Sequence, residues 1–269
     1  MAIEFQKYHG LENDFLLIEG EESSLSAEMV VEICHRRRGV GADGVLLVSQ
    51  VRGDQYPSVR MVIFNRDASR PEMCGNGVRC VAAYAERQWG MGPEITVFSD
   101  AGPRRCVSHW QGANQWQVSV EMGAATVTDS PLLLHHQDTS WPYWGVNVGN
   151  PHAVIFSERD EELAATLGRL VNQDHPDFPE GTNLEFASQR GKAPHFDVIV
   201  FERGVGFTRA CGTGACAVAA AAWADDRVSP DQPVIVELPG GPLTISQSST
   251  GITMAGEAAY TFAGTWGTA

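Results

Sequence analysis

Cys74-Gly75-Asn76-Gly77 and Cys211-Gly212-Thr213-Gly214 are near-copies of one short motif, and they lie 137 residues apart in a chain of 269 residues. A run rich in alanine and other small apolar residues follows each copy. Each run predicts a buried helix, because apolar residues fall on almost every side of it. The pattern therefore predicts a duplicated unit in which each half places one cysteine at the N-terminus of a central helix.

The position of these two cysteines favours a chemical role. Backbone N–H groups and the helix dipole at a helix N-terminus bind anions and lower the pKa of a thiol. The alternative is small apolar filler, which is the usual role of a free cysteine. Filler fits the other cysteines, namely Cys34, Cys80, Cys106 and Cys216. It fits Cys74 and Cys211 poorly, because the Gly-x-Gly after each frees the backbone to approach a ligand. We expect one thiol to take a proton from one face of a carbon atom and the other to return one to the opposite face.

Strand-like runs dominate the rest of the chain, and most are bounded by turn sequences. The predicted strands are 45–51, 58–65, 94–99, 116–122, 145–148, 153–156, 196–202, 234–238, 243–246 and 252–255. The predicted helices are 26–37, 76–89, 160–171 and 212–226. The expected fold class is α+β, with two pseudo-symmetric lobes. Each lobe is a curved mixed β-sheet, barrel-like, wrapped around a central helix, and the active site is expected in the cleft between the lobes.

The predicted domain boundary lies near Met122-Gly123. Residues 1–122 form the N-terminal lobe with Cys74, and residues 123–262 form the C-terminal lobe with Cys211. Residues from about 263 to 269 are expected to pack back on the first lobe. The polar segment 124–140 is expected to be irregular and to join the lobes.

Composition and charge exclude several classes of function. The net charge of −14 disfavours nucleic acid and anionic membranes as partners, since both bind basic surfaces. The first ten residues show no signal-peptide pattern, and no apolar run is long enough to span a bilayer, so a cytoplasmic location is expected. The six cysteines are expected to be reduced, and their spacing does not match a zinc site.

One segment has the residue pattern of a dinucleotide-binding motif but not the flanking secondary structure that the motif requires. Gly39-Val40-Gly41-Ala42-Asp43-Gly44 fits G-x-G-x-x-G, but a helix-like run precedes it and a strand-like run follows it. The dinucleotide fingerprint needs the opposite order. We therefore interpret the segment as a helix-to-strand loop.

Several polar residues near turns and strand ends have two readings. The asparagines are Asn13, Asn65, Asn150 and Asn183. Each is either a turn residue that satisfies its own backbone or one of a convergent set that recognises amino and carboxylate groups. Glu202 and Arg203 are either a solvated pair or the groups that bind an ammonium and a carboxylate. His152 is equally open between a structural and a catalytic role.

Taken in order, these segments resemble the diaminopimelate epimerase family over nearly the whole chain. The matching stretches are His9-Gly10-Leu11-Glu12-Asn13-Asp14-Phe15, Arg38-Gly39-Val40-Gly41-Ala42-Asp43-Gly44, Phe64-Asn65, Cys74-Gly75-Asn76-Gly77-Val78-Arg79-Cys80, Gly149-Asn150-Pro151-His152, Asn183, Glu202-Arg203-Gly204, Ala210-Cys211-Gly212-Thr213-Gly214-Ala215-Cys216 and Glu237-Leu238-Pro239-Gly240-Gly241.

The resemblance implies an epimerase that interconverts LL- and meso-diaminopimelate without a cofactor or a metal. It implies that Cys74 acts on the LL substrate and Cys211 on the meso form. It also implies a role in lysine and peptidoglycan precursor synthesis and a homodimer. The residues that match substrate contacts of the family are Asn13, Asn65, Gly75, Asn76, Asn150, Asn183, Glu202, Arg203, Gly212 and Thr213. His152 and Glu202 match positions that tune the thiols.

This chain departs from the family pattern in three places. Gly44 replaces a glutamine of some members, Glu12 replaces a usually small residue, and Asn65-Arg66-Asp67-Ala68-Ser69 replaces Asn-Ala-Asp-Gly-Ser. Two alternatives therefore stay open. One is another racemase that uses the same two-thiol scaffold without pyridoxal phosphate, and the other is a non-catalytic protein that binds an amino acid.

Overall fold

The computed structural model describes residues 2–52, 55–173 and 175–267. The chain divides into two compact units. Unit 1 takes in the chain up to Val120 and again from Ala255, and unit 2 is Glu121–Met254. The sequence prediction placed the return to the first lobe at about residue 263, and residues 268 and 269 of that segment lie outside the described residues. Unit 1 is therefore discontinuous in sequence, whereas unit 2 is one continuous segment.

Unit 1 is a mixed sheet with one buried helix. Its strands are β1 (Ile3–Gly10), β2 (Asn13–Glu19), β3 (Gly44–Val51), β4 (Ser58–Asn65), β5 (Glu94–Ser99), β6 (Gly102–Gly112) and most of β7 (Gln115–Gly123). Its helices are α1 (Ala27–Cys34) and α2 (Gly75–Trp89), with a 3-10 turn at Glu22–Ser24. Helix α2 contacts every strand from β1 to β6. The sheet is therefore barrel-like around this helix.

Unit 2 repeats this construction. Its strands are β8 (Thr126–Val127), β9 (Leu132–His136), β10 (Thr139–Asn147), β11 (Pro151–Phe156), β12 (Asn183–Gln189), β13 (His195–Glu202), β14 (Gly206–Phe207), β15 (Val234–Leu238) and β16 (Gly241–Ser248). Its helices are α3 (Glu161–Leu170) and α4 (Gly212–Ala224). Helix α4 contacts β8, β10, β11, β12, β15 and β16. The last strand, β17 (Gly251–Trp266), begins in unit 2 and continues into unit 1.

The strand pairing confirms the duplication that the cysteine motif predicts. In unit 1, β1 to β6 pair in the order antiparallel, parallel, antiparallel, parallel, antiparallel. In unit 2, β10, β11, β12, β13, β15 and β16 pair in the same order. Helices α2 and α4 occupy the same place in their units, because each lies between the two strands of the second parallel pair, β4 and β5 in unit 1 and β13 and β15 in unit 2. The α+β fold class with barrel-like mixed sheets is thus confirmed for each unit.

Local sequence explains where the helices begin and end. The Ser26 side chain accepts a hydrogen bond from the Met29 N–H and starts α1, and Asp160 does the same for α3. Gly90 adopts a left-handed conformation that ends α2. The predicted ends of α1 at residue 37 and of α4 at residue 226 were too late. His35 is already extended, and Asp226 has a φ of 53°.

The prediction for residues 124–140 was wrong. This segment contains β8 and β9, which pair with β10 and bury Leu134 completely. Both strands are short and depend on pairing with β10, which a local sequence pattern does not show. Helix α1 precedes and β3 follows the glycine-rich loop at residues 39–44, as predicted. Among the described residues, no helix combines the length and hydropathy that crossing a bilayer requires.

Candidate active site

Cys74 immediately precedes α2 and is only partly buried. Its backbone is extended, and the first helical hydrogen bond runs from the Val78 N–H to the Cys74 carbonyl over 2.9 Å. The amides of Gly75 and Asn76 therefore lie ahead of the helical ladder, where N–H groups have no partner within the helix. This is the geometry of an anion site at a helix N-terminus.

Two carboxamides hold the surroundings of Cys74 in place. Asn76 donates from Nδ2 to Oδ1 of Asn13 over 3.0 Å, and the same oxygen lies 3.9 Å from the sulfur of Cys74. Arg79, which is fully buried, donates to Oδ1 of Asn76 over 3.0 Å and to the Glu257 carbonyl over 3.2 Å. The arginine thus fixes which end of the Asn76 carboxamide faces Asn13.

An ion-pair network supports Asn13 from the opposite side. Asn13 donates to Asp43 over 3.1 Å, while Asp14 is bound by Lys7 and by both terminal nitrogens of Arg36. Burial raises the pKa of Asp14, but the hydrogen bonds from Arg36 and Lys7 outweigh it and lower the pKa to about 2. The carboxylate is therefore charged at neutral pH and anchors the β1–β2 turn.

Asn65 belongs to the same unit. It ends β4, where its Nδ2 donates to Oγ of Ser69 over 2.9 Å, and it pairs in register with Gly44. A Cβ atom at position 44 would come within 2.5 Å of the Phe64 carbonyl oxygen. A side chain at position 44 would therefore require the backbone near Phe64 to shift.

Cys211 immediately precedes α4 and is only 6% exposed. Its sulfur accepts a hydrogen bond from the Gly214 N–H over 3.3 Å and lies 3.5 Å from Oγ1 of Thr213. Burial raises the pKa of this thiol well above its usual range, and the charges of Glu202 and Glu185 add to the rise. The expectation of a lowered pKa was therefore wrong for Cys211, because burial and two carboxylates outweigh the donors of the helix N-terminus.

Glu202 is the carboxylate at the end of β13. It accepts a hydrogen bond from the Thr208 hydroxyl and another from the Cys211 thiol. Burial raises its pKa, and the neighbouring Glu185 raises it further, although these hydrogen bonds lower it. A carboxylate whose pKa moves toward neutrality is suited to exchange a proton with a neighbouring thiol.

His152 forms a fully buried hydrogen-bonded pair with Glu185. Its Nδ1 is 2.7 Å from Oε1 of Glu185, and neither side chain is exposed. Its Nε2 is 3.0 Å from Oδ1 of Asn150, whose Nδ2 donates to Oγ1 of Thr213 over 3.4 Å. The structure thus brings four predicted residues of unit 2 together at the start of α4: Asn150, His152, Thr213 and Cys211.

Asn183 and Arg203 form a neighbouring group. The side chain of Asn183 donates to the Pro151 carbonyl over 3.0 Å and accepts from the Arg203 N–H over 3.0 Å. Arg203 is exposed and donates from Nη1 to the Glu180 carbonyl over 3.0 Å. Because β11 and β12 pair His152 with Asn183, this group lies one strand away from the buried histidine.

Sequence reasoning missed two residues of this site. Arg79 interrupts an otherwise apolar helix, and Glu185 lies between Leu184 and Phe186 in a buried strand. A lone charge inside an apolar run is the signal that could have found both, since a buried charge needs a specific partner. Within the described part of the chain, no three His, Cys, Asp or Glu side chains converge as a metal site requires.

Sequence comparison places this chain among known enzymes. The family profile described as diaminopimelate epimerase matches residues 5–128 and 145–261. Diaminopimelate epimerase 1 from Nostoc sp. is 38% identical over 98% of this chain and 99% of its own length. The diaminopimelate epimerase from Synechococcus elongatus is 38% identical over 98% of each chain. This chain belongs to the diaminopimelate epimerase family. It is therefore an isomerase of the epimerase type.

Solved structures share the fold at low sequence identity. A predicted epimerase from Pseudomonas aeruginosa superimposes with a TM-score of 0.74 at 13% identity, covering 99% of this chain and 100% of the other. A hydroxyproline epimerase from Agrobacterium vitis gives 0.71 at 14% identity, covering 98% and 92%. At such low identities, the structural likeness shows that the fold is shared and gives no information on substrate or activity.

Proposed function

We propose that this chain is a diaminopimelate epimerase that interconverts the LL and meso forms by proton transfer through Cys74 and Cys211. Family membership supports the substrate. The observation that carries the chemistry is that each unit places one cysteine directly before its buried central helix. The duplication therefore supplies two equivalent thiols, which is what inversion at one carbon requires.

The reaction removes a weakly acidic proton from a carbon that bears an ammonium and a carboxylate. Negative charge develops on that carboxylate as the proton leaves, and hydrogen-bond donors already in place stabilise it. The amides of Gly75, Asn76, Gly212 and Thr213 precede the helical ladders of α2 and α4 and are such donors. They supply the electrostatic stabilisation that a carbanion needs in a site from which water is excluded.

The two thiols have different resting roles in this proposal. Cys211 is buried beside two carboxylates, which keep it protonated, so it is the acid that returns a proton. Cys74 then acts as the base toward the LL substrate, and the roles exchange for the meso substrate. Glu202 takes up the Cys211 proton when the direction reverses, because it already accepts a hydrogen bond from that thiol.

The remaining predicted residues recognise the far end of the substrate. Diaminopimelate carries a second ammonium and a second carboxylate, and each needs a polar partner once it leaves water. We assign Asn65, Asn150, Asn183 and Arg203 to these groups, with Asn13 and Glu202 near the reacting carbon. Cytoplasmic lysine and peptidoglycan precursor synthesis in a homodimeric enzyme is part of the same proposal, supported by the family alone.

Incubation with LL-diaminopimelate in heavy water tests the function directly. The wild-type protein should form the meso isomer and incorporate deuterium at the α-carbon. Cys74→Ala and Cys211→Ala should each abolish inversion, because one of the two proton carriers is gone. Cys80→Ala and Cys216→Ala are matched controls on the same two helices and should retain activity.

A second candidate is a racemase with a different amino-acid substrate. Glu12 and Gly44 favour it, since both differ from the family pattern at positions beside predicted contacts. A panel of amino acids in heavy water separates the two, because only the true substrate exchanges its α-proton rapidly. Binding of diaminopimelate without deuterium uptake would refute the epimerase, and absence of uptake for every amino acid of the panel would identify a non-catalytic binding protein.

A further inference from the structure

An unbroken chain of hydrogen bonds leads from the buried carboxylate of Glu185 to the sulfur of Cys211. The steps are Glu185 to His152 at 2.7 Å, His152 to Asn150 at 3.0 Å, Asn150 to Thr213 at 3.4 Å and Thr213 to Cys211 at 3.5 Å. All five residues belong to unit 2. The steps proposed for catalysis use Glu185 only as a negative charge that keeps Cys211 protonated, and this does not account for its hydrogen bond to His152.

The carboxylate of Glu185 determines which group donates and which accepts in each hydrogen bond of the series. Because a carboxylate only accepts hydrogen bonds, Nδ1 of His152 donates to Glu185. Nε2 faces the carboxamide oxygen of Asn150, which also accepts. Both ring nitrogens thus face acceptor oxygens, and this is the arrangement of a ring that carries a proton on each nitrogen. A positive ring is the partner that a fully buried carboxylate requires, particularly since Oε2 of Glu185 has no hydrogen-bond partner among the described residues.

The direction continues as far as the sulfur. A threonine hydroxyl has one hydrogen to donate. Since Oγ1 of Thr213 accepts from Asn150, its own hydrogen is free to point to Cys211. The Gly214 N–H is a second donor to the same sulfur. Two donors to one sulfur favour the thiolate over the thiol.

We propose that Glu185 is a positioning residue for Cys211: it keeps His152 charged, and the charged ring orients Asn150 and Thr213 so that the threonine hydroxyl donates to the thiolate. This inference rests on the proposed function, in which Cys211 gives up and regains a proton. With a neutral ring, Nε2 would present a lone pair, the Asn150 carboxamide would turn over, and Thr213 would donate to Asn150 instead of the sulfur.

Direct electrostatics predicts the opposite effect. The charged groups that face Cys211 are Glu202 on β13, Glu185 on β12 and His152 on β11. Glu185 repels a thiolate, so a purely electrostatic role means that its neutralisation makes Cys211 more acidic. If the His152 ring loses its positive charge when Glu185 is neutralised, the net charge near Cys211 is unchanged. The acidity of Cys211 then depends on the loss of the hydrogen bond from Thr213. The sign of the change therefore distinguishes the two roles.

The experiment measures alkylation of Cys211 by iodoacetamide as a function of pH, read by mass spectrometry of its peptide. Glu185→Gln keeps the hydrogen-bond acceptor and removes the charge. We expect roughly tenfold less Cys211 thiolate at a given pH, which is the size of one hydrogen bond to a charged group. The partly buried Cys74 in the same samples is an internal reference whose titration should not change.

A double-mutant cycle shows whether the effect passes through the threonine. In a Thr213→Val background, Glu185→Gln should have no further effect on the titration of Cys211. Glu237→Gln is the matched control, because Glu237 pairs with His195 in the same unit at 3.5 Å but is partly exposed. It should leave the titration of Cys211 unchanged.

The outcomes are decisive in either direction. An unchanged or more acidic Cys211 in Glu185→Gln, or additive effects in the cycle, would overturn the proposal. If Glu185→Gln does not fold, the double variant Glu185→Leu with His152→Leu removes both charges of the buried pair, so the net charge is again unchanged and the thiolate fraction of Cys211 should still fall. Since alkylation needs no substrate, failure of this inference and failure to epimerise diaminopimelate are separate results.

Discussion

Asn76 donates to Asn13 over 3.0 Å, and this contact places the acceptor oxygen of Asn13 3.9 Å from the sulfur of Cys74. Both carboxamides are held from behind, Asn76 by Arg79 and Asn13 by Asp43. The surroundings of the thiol are therefore fixed by partners within unit 1 before any substrate arrives. Such preorganisation is what makes hydrogen-bond donors effective in catalysis.

Asn76→Ala should lower both activity and stability. It leaves the buried Arg79 without one acceptor and Asn13 without its donor. We expect kcat/KM for epimerisation to fall at least about tenfold and the free energy of unfolding to fall by about 1–3 kcal/mol. Asn147→Ala, at an exposed asparagine of β10, is the control and should change activity little. Equal activity in both variants would show that Asn76 does not position the site.

Alanine substitution at the last glycine of each motif should have unequal effects. At Gly214 a Cβ atom would lie 2.8 Å from Oε1 of Glu185 and 3.3 Å from the sulfur of Cys211. At Gly77 it would meet the flexible end of Leu46 at 3.3 Å. We expect Gly214→Ala to lower kcat at least about tenfold and stability by about 1–3 kcal/mol, as overpacking does. Gly77→Ala should be milder in steady-state kinetics and urea unfolding, and the reverse ranking would contradict this account.

Stability should depend on pH through Asp14. Its pKa is about 2 in the folded protein against an ordinary 3.8, so the native state favours the charged form. This contribution, about 2 kcal/mol, is fully present above pH 3.8 and is lost as the pH falls toward 2. Urea unfolding of Asp14→Asn should therefore show lower stability at neutral pH and a smaller loss on acidification. The exposed Asp129→Asn should behave as the wild type does.

Glu12 should be replaceable with a gain in stability. Leu11 and Glu12 form the two-residue turn between β1 and β2, with φ values of 55° and 63°. Asparagine tolerates this left-handed conformation better than glutamate, so Glu12→Asn should stabilise the fold by about 0.5–1 kcal/mol. It should also lower KM, because a negative charge beside Asn13, near the place proposed for the carboxylate of the reacting carbon, is removed. Glu12→Gln separates these effects, since it should lower KM without stabilising the turn.

Much of the fold could be predicted because local pattern and tertiary structure agree. Strands β4, β5 and β15 begin and end at the predicted residues, and α2 ends at Gly90 as its sequence indicates. The strands that were missed are β1, β2, β6, β8, β9, β12 and β14. In β12, Glu185 interrupts the apolar pattern, and this strand is held by its neighbours on both sides. Pairing over long sequence distances decides such strands, and a local window does not show it.

The features of the candidate site likewise include some that the sequence predicts and some that it does not. The repeated motif alone predicts that Cys74 and Cys211 precede helices. The protonation of Cys211 could not be predicted, because it depends on Glu185 and Glu202, which β12 and β13 bring to the start of α4. Secondary-structure signals locate a catalytic group, whereas its acidity is a property of residues distant in sequence.

The pairing of β1 with β17 determines when the protein can finish folding during synthesis. Strand β1 has β2 on one edge and the final strand on the other, with Ile3 opposite Trp266. Unit 2 is complete in sequence once Met254 has left the ribosome, but unit 1 is complete only after the rest of β17, up to Trp266, has been made. Domains usually fold from the N-terminus onward as they emerge. In this protein, the unit that is synthesised first completes its sheet last. A protein truncated after residue 254 should therefore lose the sheet around Cys74, whereas Glu121–Met254 keeps all of its own strands.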